Sequence, residues 1–201
     1  VILMVAGHVI GVDGRGLRVA DDSVWHYAYL FLADIRMPLF TLISGYVYAM
    51  RPVAQSRDYP GLVRGKSRRL LLPLITVGTI YYILERVIPG TNSINHHVPV
   101  WHIYLFGFEH LWFLQSIFII FITIGIVDAF GVLSSRIRWA VVTACSAIAF
   151  IVVDIPAKVD VFTVSGAMRL LPFFLLGYGL RRHAVFDIRG GLAAAAAAAA
   201  F

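Results

Sequence analysis

The chain has 201 residues, 60% of them hydrophobic and only 14% charged, with a net charge of +6 and a mean hydropathy of +0.82. That balance excludes an ordinary soluble globular domain and reads as a multi-span membrane protein. The positive charge lies in short clusters between apolar runs, which suits loops facing an anionic leaflet, and no basic-aromatic nucleic-acid module is present.

In chain order, Val1 to Val12 reads as the outer part of a first spanning helix whose start is expected upstream, followed by a polar loop, Asp13 to Asp22. The second span is Val24 to Met50. Arg51 to Arg69 holds Arg51, Arg57, Arg64, Lys66, Arg68 and Arg69 among prolines and glycines, and the positive-inside rule makes it a cytoplasmic loop. The third span, Leu70 to Ile88, leads outward to a loop, Pro89 to His102, without lysine or arginine. Leu111 to Phe130 returns to Arg136 and Arg138, Trp139 to Val153 goes out to a loop holding only Lys158, and Gly166 to Leu180 returns to Arg181, Arg182 and Arg189. Arginines thus mark alternate loops, which predicts about six spans with the N-terminus inside and a seventh from Leu192. The expected fold is an all-α, polytopic membrane helix bundle forming one domain over residues 1–201. Ala193 to Ala200 is an unbroken alanine run and carries no functional weight. Cys145, the single cysteine, lies in an apolar run and reads as a small buried hydrophobe.

Several soluble-enzyme signatures are absent. Pro60 to Ser67 approaches a phosphate-binding loop, but proline stands for the first glycine and no buried strand precedes it. His96, His97 and His102 share an outer loop without a fourth ligand, so no metal site is expected. Two other places carry chemistry. His8 sits between Gly7 and Gly11, a pair that admits a neighbouring helix closely, and an imidazole there either accepts a hydroxyl proton or makes a packing hydrogen bond; the residues alone leave both open. Asp34 and Arg36 lie inside the second span beside Pro38, where the helix is expected to bend or open. Ionisable groups are costly inside a bilayer, so their presence points to a polar cavity or a reaction path.

Gly7-His8, Arg36-Met37-Pro38-Leu39-Phe40 running into Ser44-Gly45, Arg68-Arg69 before Pro73, His110-Leu111-Trp112-Phe113-Leu114 and Leu171 to Tyr178 occur in this order along nearly the whole chain. In that order they resemble the membrane acyltransferase 3 family. The resemblance implies an integral membrane enzyme with roughly ten spans, of which this chain, at about 20 residues per span, holds the first six or seven. It also implies transfer of an acyl group, usually acetyl from acetyl-CoA, to a hydroxyl of a carbohydrate, glycolipid or other envelope acceptor. The implied setting is a bacterial inner membrane, with no metal and no nucleic-acid partner. The family's first helix carries an arginine upstream of its histidine, at a position that falls before Val1.

On this reading His8 is the general base for the acceptor hydroxyl or a transient acyl carrier, Arg36 steadies the developing oxyanion, and Asp34 orients His8 or balances Arg36. A structural ion pair of Arg36 with Asp34 requires a distorted helix, because residues two apart do not face each other. Arg64, Lys66, Arg68 and Arg69 are candidates to grip the phosphates of coenzyme A, or else anchor the helix against anionic membrane lipid. Glu109, His110 and Trp112 open the fourth span and are candidates to hold the acceptor, with Trp112 alternatively an interfacial anchor. Ser44 and Gly45 read as a close helix contact, and Arg169 either pairs with Asp154 or lines the cavity. His8 lies within about 6 Å of the outer end of its helix, so a thioester arm has to thread inward from the cytoplasm. The competing class is a transporter or flippase, whose broken helices also carry buried charges.

Overall fold

The computed structural model describes residues 22–88, 99–108, 111–156 and 159–184, with the side chains of 33 and 34 outside that set. The first span with His8, the loop residues His96, His97, Glu109, His110 and Lys158, and everything from Arg189 onward lie outside the described residues. Within them all regular structure is helical and there is no strand. The α-helices are α1 (Val24–Tyr48), α2 (Tyr59–Lys66), α3 (Leu72–Val87), α4 (His102–Leu105), α5 (Trp112–Ala129), α6 (Arg136–Val152) and α7 (Val164–Arg182). Four helical runs, Val24–Tyr48, Ser56–Val87, Trp112–Ala129 and Val161–Arg182, are long and apolar enough to cross a bilayer. With 17 residues, α6 is about 26 Å long and falls just short of that length.

The helix α1 starts where the Ser23 hydroxyl accepts the His26 amide at 3.1 Å, satisfying a donor that the first turn leaves unpaired. It runs unbroken through Pro38 to Tyr48, so the opening expected there does not occur. Proline removes one backbone donor, yet the turn that follows stays helical, with the Thr41 hydroxyl donating to the Met37 carbonyl and Ser44 to that of Phe40, both at 2.9 Å.

The segment Arg51 to Arg69 also differs from expectation. Only its start is a loop; from Ser56 the chain is continuously helical to Val87. Pro60 stands in the first turn of α2, where its missing N–H costs nothing, and Tyr59 and Leu62 pack on the small surface left by Gly125 of α5. Between α2 and α3, Ser67–Leu71 widens into a π-turn in which the Leu72 amide bonds the Ser67 carbonyl. Pro73 follows at once, and its ring crowds the turn before it, a common cause of such widening.

The bundle is organised around α7, whose glycines each receive a different neighbour. A Cβ on Gly177 would collide with the Leu42 carbonyl oxygen of α1, and one on Gly45 with the Phe174 carbonyl oxygen of α7, so these two helices touch backbone to backbone. Gly179 lies under the Trp139 ring of α6, whose Nε1 donates to the Leu175 carbonyl at 2.7 Å. Gly166 faces Trp112 and Ser116 of α5. Around these contacts Leu170, Phe174, Leu175 and Tyr178 are almost wholly buried. Large apolar side chains such as Ile43, Val47, Ile75, Ile80, Ile83 and Ile148 point outward instead, as expected of a lipid-facing surface. Cys145 is exposed on α6, not buried as read from its apolar run, because in such a bundle apolar surroundings no longer imply the interior.

The two ends of the bundle are chemically different. At one end, next to Arg51, Arg136, Arg138, Arg181 and Arg182, the buried Asp128 carboxylate accepts the Tyr48 hydroxyl at 3.1 Å and the Tyr178 hydroxyl at 2.9 Å, joining α5 to α1 and α7. The Tyr48 hydroxyl also accepts the Val53 amide at 3.3 Å, and His183 Nε2 lies 3.1 Å from the Leu133 carbonyl. At the opposite end, Phe162 and Thr163 hold two successive left-handed conformations (φ 58° and 53°). The Thr163 hydroxyl donates to the Trp112 carbonyl at 3.0 Å and lies 2.9 Å from that of Ser116. Gln115 donates to the Tyr104 carbonyl at 3.0 Å, tying α4 down beside it.

Replacing Asp128 by alanine strands two buried hydroxyls that donate to it. The expected loss is ~2–4 kcal/mol of stability, with asparagine in between because its amide still offers an acceptor. Thermal unfolding of the three purified proteins in one detergent measures it, and equal midpoints would refute a clamping role.

Candidate active site

Arg36 is the described site residue with the plainest chemical anomaly. It is half-buried near the middle of α1, and its Nε and Nη1 are shielded from solvent with no hydrogen-bond partner among the described residues. A guanidinium held that way is expensive and keeps unused donors for an anion. Asp34 is on the same helix, and its side chain is outside the described set. Since α1 remains regular, nothing in the backbone turns these two positions toward each other.

Depth follows from register. Helices α1 and α7 run in the same direction, with Gly45 against Phe174 and the Tyr48 ring beside that of Tyr178, tilted to it at 6.1 Å between centroids. Nine residues earlier, about 13 Å back toward the non-basic end, Arg36 is level with Ser165 and Gly166. Trp112 is at that same level, its ring packed against Gly166 and its side chain half-buried at the edge of the core. The same nine residues turn Arg36 by about half a revolution, so it projects from the side of α1 opposite the Gly45 contact.

The basic residues divide. The Lys66 ammonium rests 3.3 Å from the centroid of the Phe121 ring, a cation–π contact near the midpoint of α5. Arg64, Arg68 and Arg69 are exposed, the last two on the π-turn. Because α2 and α3 are continuous with this turn, these arginines are not on a loop beyond the bundle but about halfway along it. The sequence shows that they are basic; only the helical extension from Ser56 shows their depth.

One open cavity of about 240 Å³ is found where the far end of α6 splays from the start of α7. Asp154, Ser165, Gly166 and Arg169 contribute to its lining together with Phe150 and Met168. Arg169 therefore lines a cavity with Asp154, and neither is in an ion pair or hydrogen bond among the described residues.

Residues 1–201 match the model of the acyltransferase 3 family, described as an acyltransferase domain. The chain belongs to the acyltransferase 3 family. No curated protein and no solved structure matches it. As a member of the acyltransferase 3 family it is an acyltransferase, and its apolar helices are those of a membrane protein. Gln115 adds a functional candidate that only its uncharged amide inside an apolar run signals in the sequence. It is fully buried, and its Oε1 has no partner among the described residues.

Proposed function

We propose that this acyltransferase 3 protein moves an acyl group, most simply acetyl, from acyl-CoA to a hydroxyl of a carbohydrate or other cell-envelope acceptor in a bacterial inner membrane. The basic end faces the cytoplasm by the positive-inside rule, and the acceptor approaches from the other side. The observation that carries the site assignment is the partly buried Arg36 guanidinium, with unspent donors, at the middle of α1.

In the proposed reaction the acceptor oxygen attacks the thioester carbonyl carbon while His8 takes the hydroxyl proton. Charge collects on the carbonyl oxygen, where Arg36 stabilises it, and Asp34 holds His8 or balances Arg36. The carbon–sulfur bond then breaks and the imidazolium returns its proton to the departing thiolate, leaving an ester and free coenzyme A. Arg64, Arg68 and Arg69 are the proposed phosphate ligands, with Lys66 beside them on Phe121. Their position halfway along the bundle supports this, since it shortens the path the thioester arm must thread to the level of Arg36. Glu109, His110 and Trp112 are the proposed acceptor contacts at the outer end.

Membranes carrying the full protein, supplied with labelled acetyl-CoA, should place label in envelope glycans, and Arg36→Gln should slow this by roughly 10²–10³ in kcat. Arg36→Lys should recover little, because an ammonium lacks the planar fork. Full turnover in Arg36→Gln would reject the oxyanion role, and absence of label with every acyl-CoA tried would reject the reaction.

A further inference from the structure

The cavity between α6 and α7 holds a carboxylate, Asp154, and a guanidinium, Arg169, that share one space without pairing among the described residues. Ser165 adds only lone pairs, since its amide donates to Asp160 Oδ1 at 2.8 Å and its hydroxyl donates to Asp160 Oδ2. Phe150 and Met168 add apolar surface. A site with separate acceptor and donor groups beside an apolar wall suits a sugar ring, whose hydroxyls both give and take hydrogen bonds and whose C–H face packs on an aromatic side chain. The cavity, of about 240 Å³ and open on one side, has room for a sugar ring.

Position decides which ring. Gly166 lines the cavity and is also the residue against which Trp112 packs, so the cavity lies at the depth of Trp112 and Arg36. Yet the Arg36 position is on the side of α1 away from α7, so roughly a helix diameter, ~10 Å, lies between that position and the cavity on the far side of α7. A sugar bound here is too far away to be the one acylated. We propose that this cavity is a holding subsite for a neighbouring unit of the acceptor, and that the acceptor is therefore an oligosaccharide or longer glycan. This rests on the acyl-transfer reading above and extends it.

The test uses the full chain in lipid nanodiscs with Cys145→Ala and Met168→Cys. The rate at which a water-soluble maleimide labels the new thiol is measured with cello- and chito-oligosaccharides of one to four units. Oligosaccharides are expected to protect it, with about tenfold weaker apparent affinity in Asp154→Asn and in Arg169→Gln, the loss typical of a charged hydrogen bond. Acyl-CoA binding in the same samples reports that the variants fold. No protection by any sugar, affinity unchanged from the parent protein in both variants, or protection by phosphoethanolamine in place of sugar each overturns the proposal. Protection through these two residues without transfer from acyl-CoA overturns the reaction and keeps the subsite, whereas transfer with unchanged sugar affinity does the reverse.

Discussion

Gly177→Leu is expected to prevent the protein from reaching its native packing. Even a single Cβ at this position would lie inside the contact distance of the Leu42 carbonyl oxygen and 3.0 Å from the Tyr46 amide nitrogen, and both are backbone atoms that cannot rotate aside. Relief requires α1 and α7 to separate, which also undoes the reciprocal contact of Gly45 with Phe174 and pulls Tyr48 from Phe174 and Tyr178. The cost is at or above the ~3 kcal/mol upper end of usual overpacking, a large share of a stability of ~5–15 kcal/mol. Gly61→Leu, where nothing lies within 4 Å of the added carbon, should be tolerated and so serves as the control. Thermal unfolding and monodispersity in detergent decide the matter. A Gly177→Leu protein with native stability would show that the two helices do not meet backbone to backbone.

His8→Ala is expected to abolish measurable acyl transfer while leaving the protein in the membrane. Positioned proton transfer contributes typically 10²–10⁴ in rate, and alanine removes both the acceptor of the hydroxyl proton and its donor to the leaving thiolate. A packing histidine predicts something else: alanine would lower stability and leave turnover per folded molecule unchanged. Measuring transfer from labelled acyl-CoA per folded protein separates these outcomes. Retained turnover in His8→Ala would end the general-base assignment.

Much of the architecture is legible in the residues because apolar length and arginine placement are local properties. Leu111 to Phe130 brackets α5 and Val24 to Met50 brackets α1, while Gly166 to Leu180 falls two residues short of α7 at each end. The stretch from Ser56 to Lys66 reads as loop because proline and glycine usually punctuate a chain, whereas here Pro60 opens a helix and Gly61 and Gly65 lie within it. Cys145 reads as buried but is exposed for a related reason: composition does not distinguish the lipid-facing side of a helix from its packed side.

The order of apolar spans, the alternation of basic ends and the family motifs are all written along one dimension, so a helical membrane acyltransferase is legible from the residues alone. They also mark Arg36 as an uncomfortable charge. Which glycines are contacts, and for whom, was decided only in three dimensions: Gly166 serves α5, Gly177 serves α1 and Gly179 serves α6. The joining of Asp128 to Tyr48 and Tyr178, and the sharing of one cavity by Asp154 and Arg169, were decided there too. Partners far apart in the chain meet only after helices choose their rotation and register, and that choice depends on side-chain shape summed over whole interfaces.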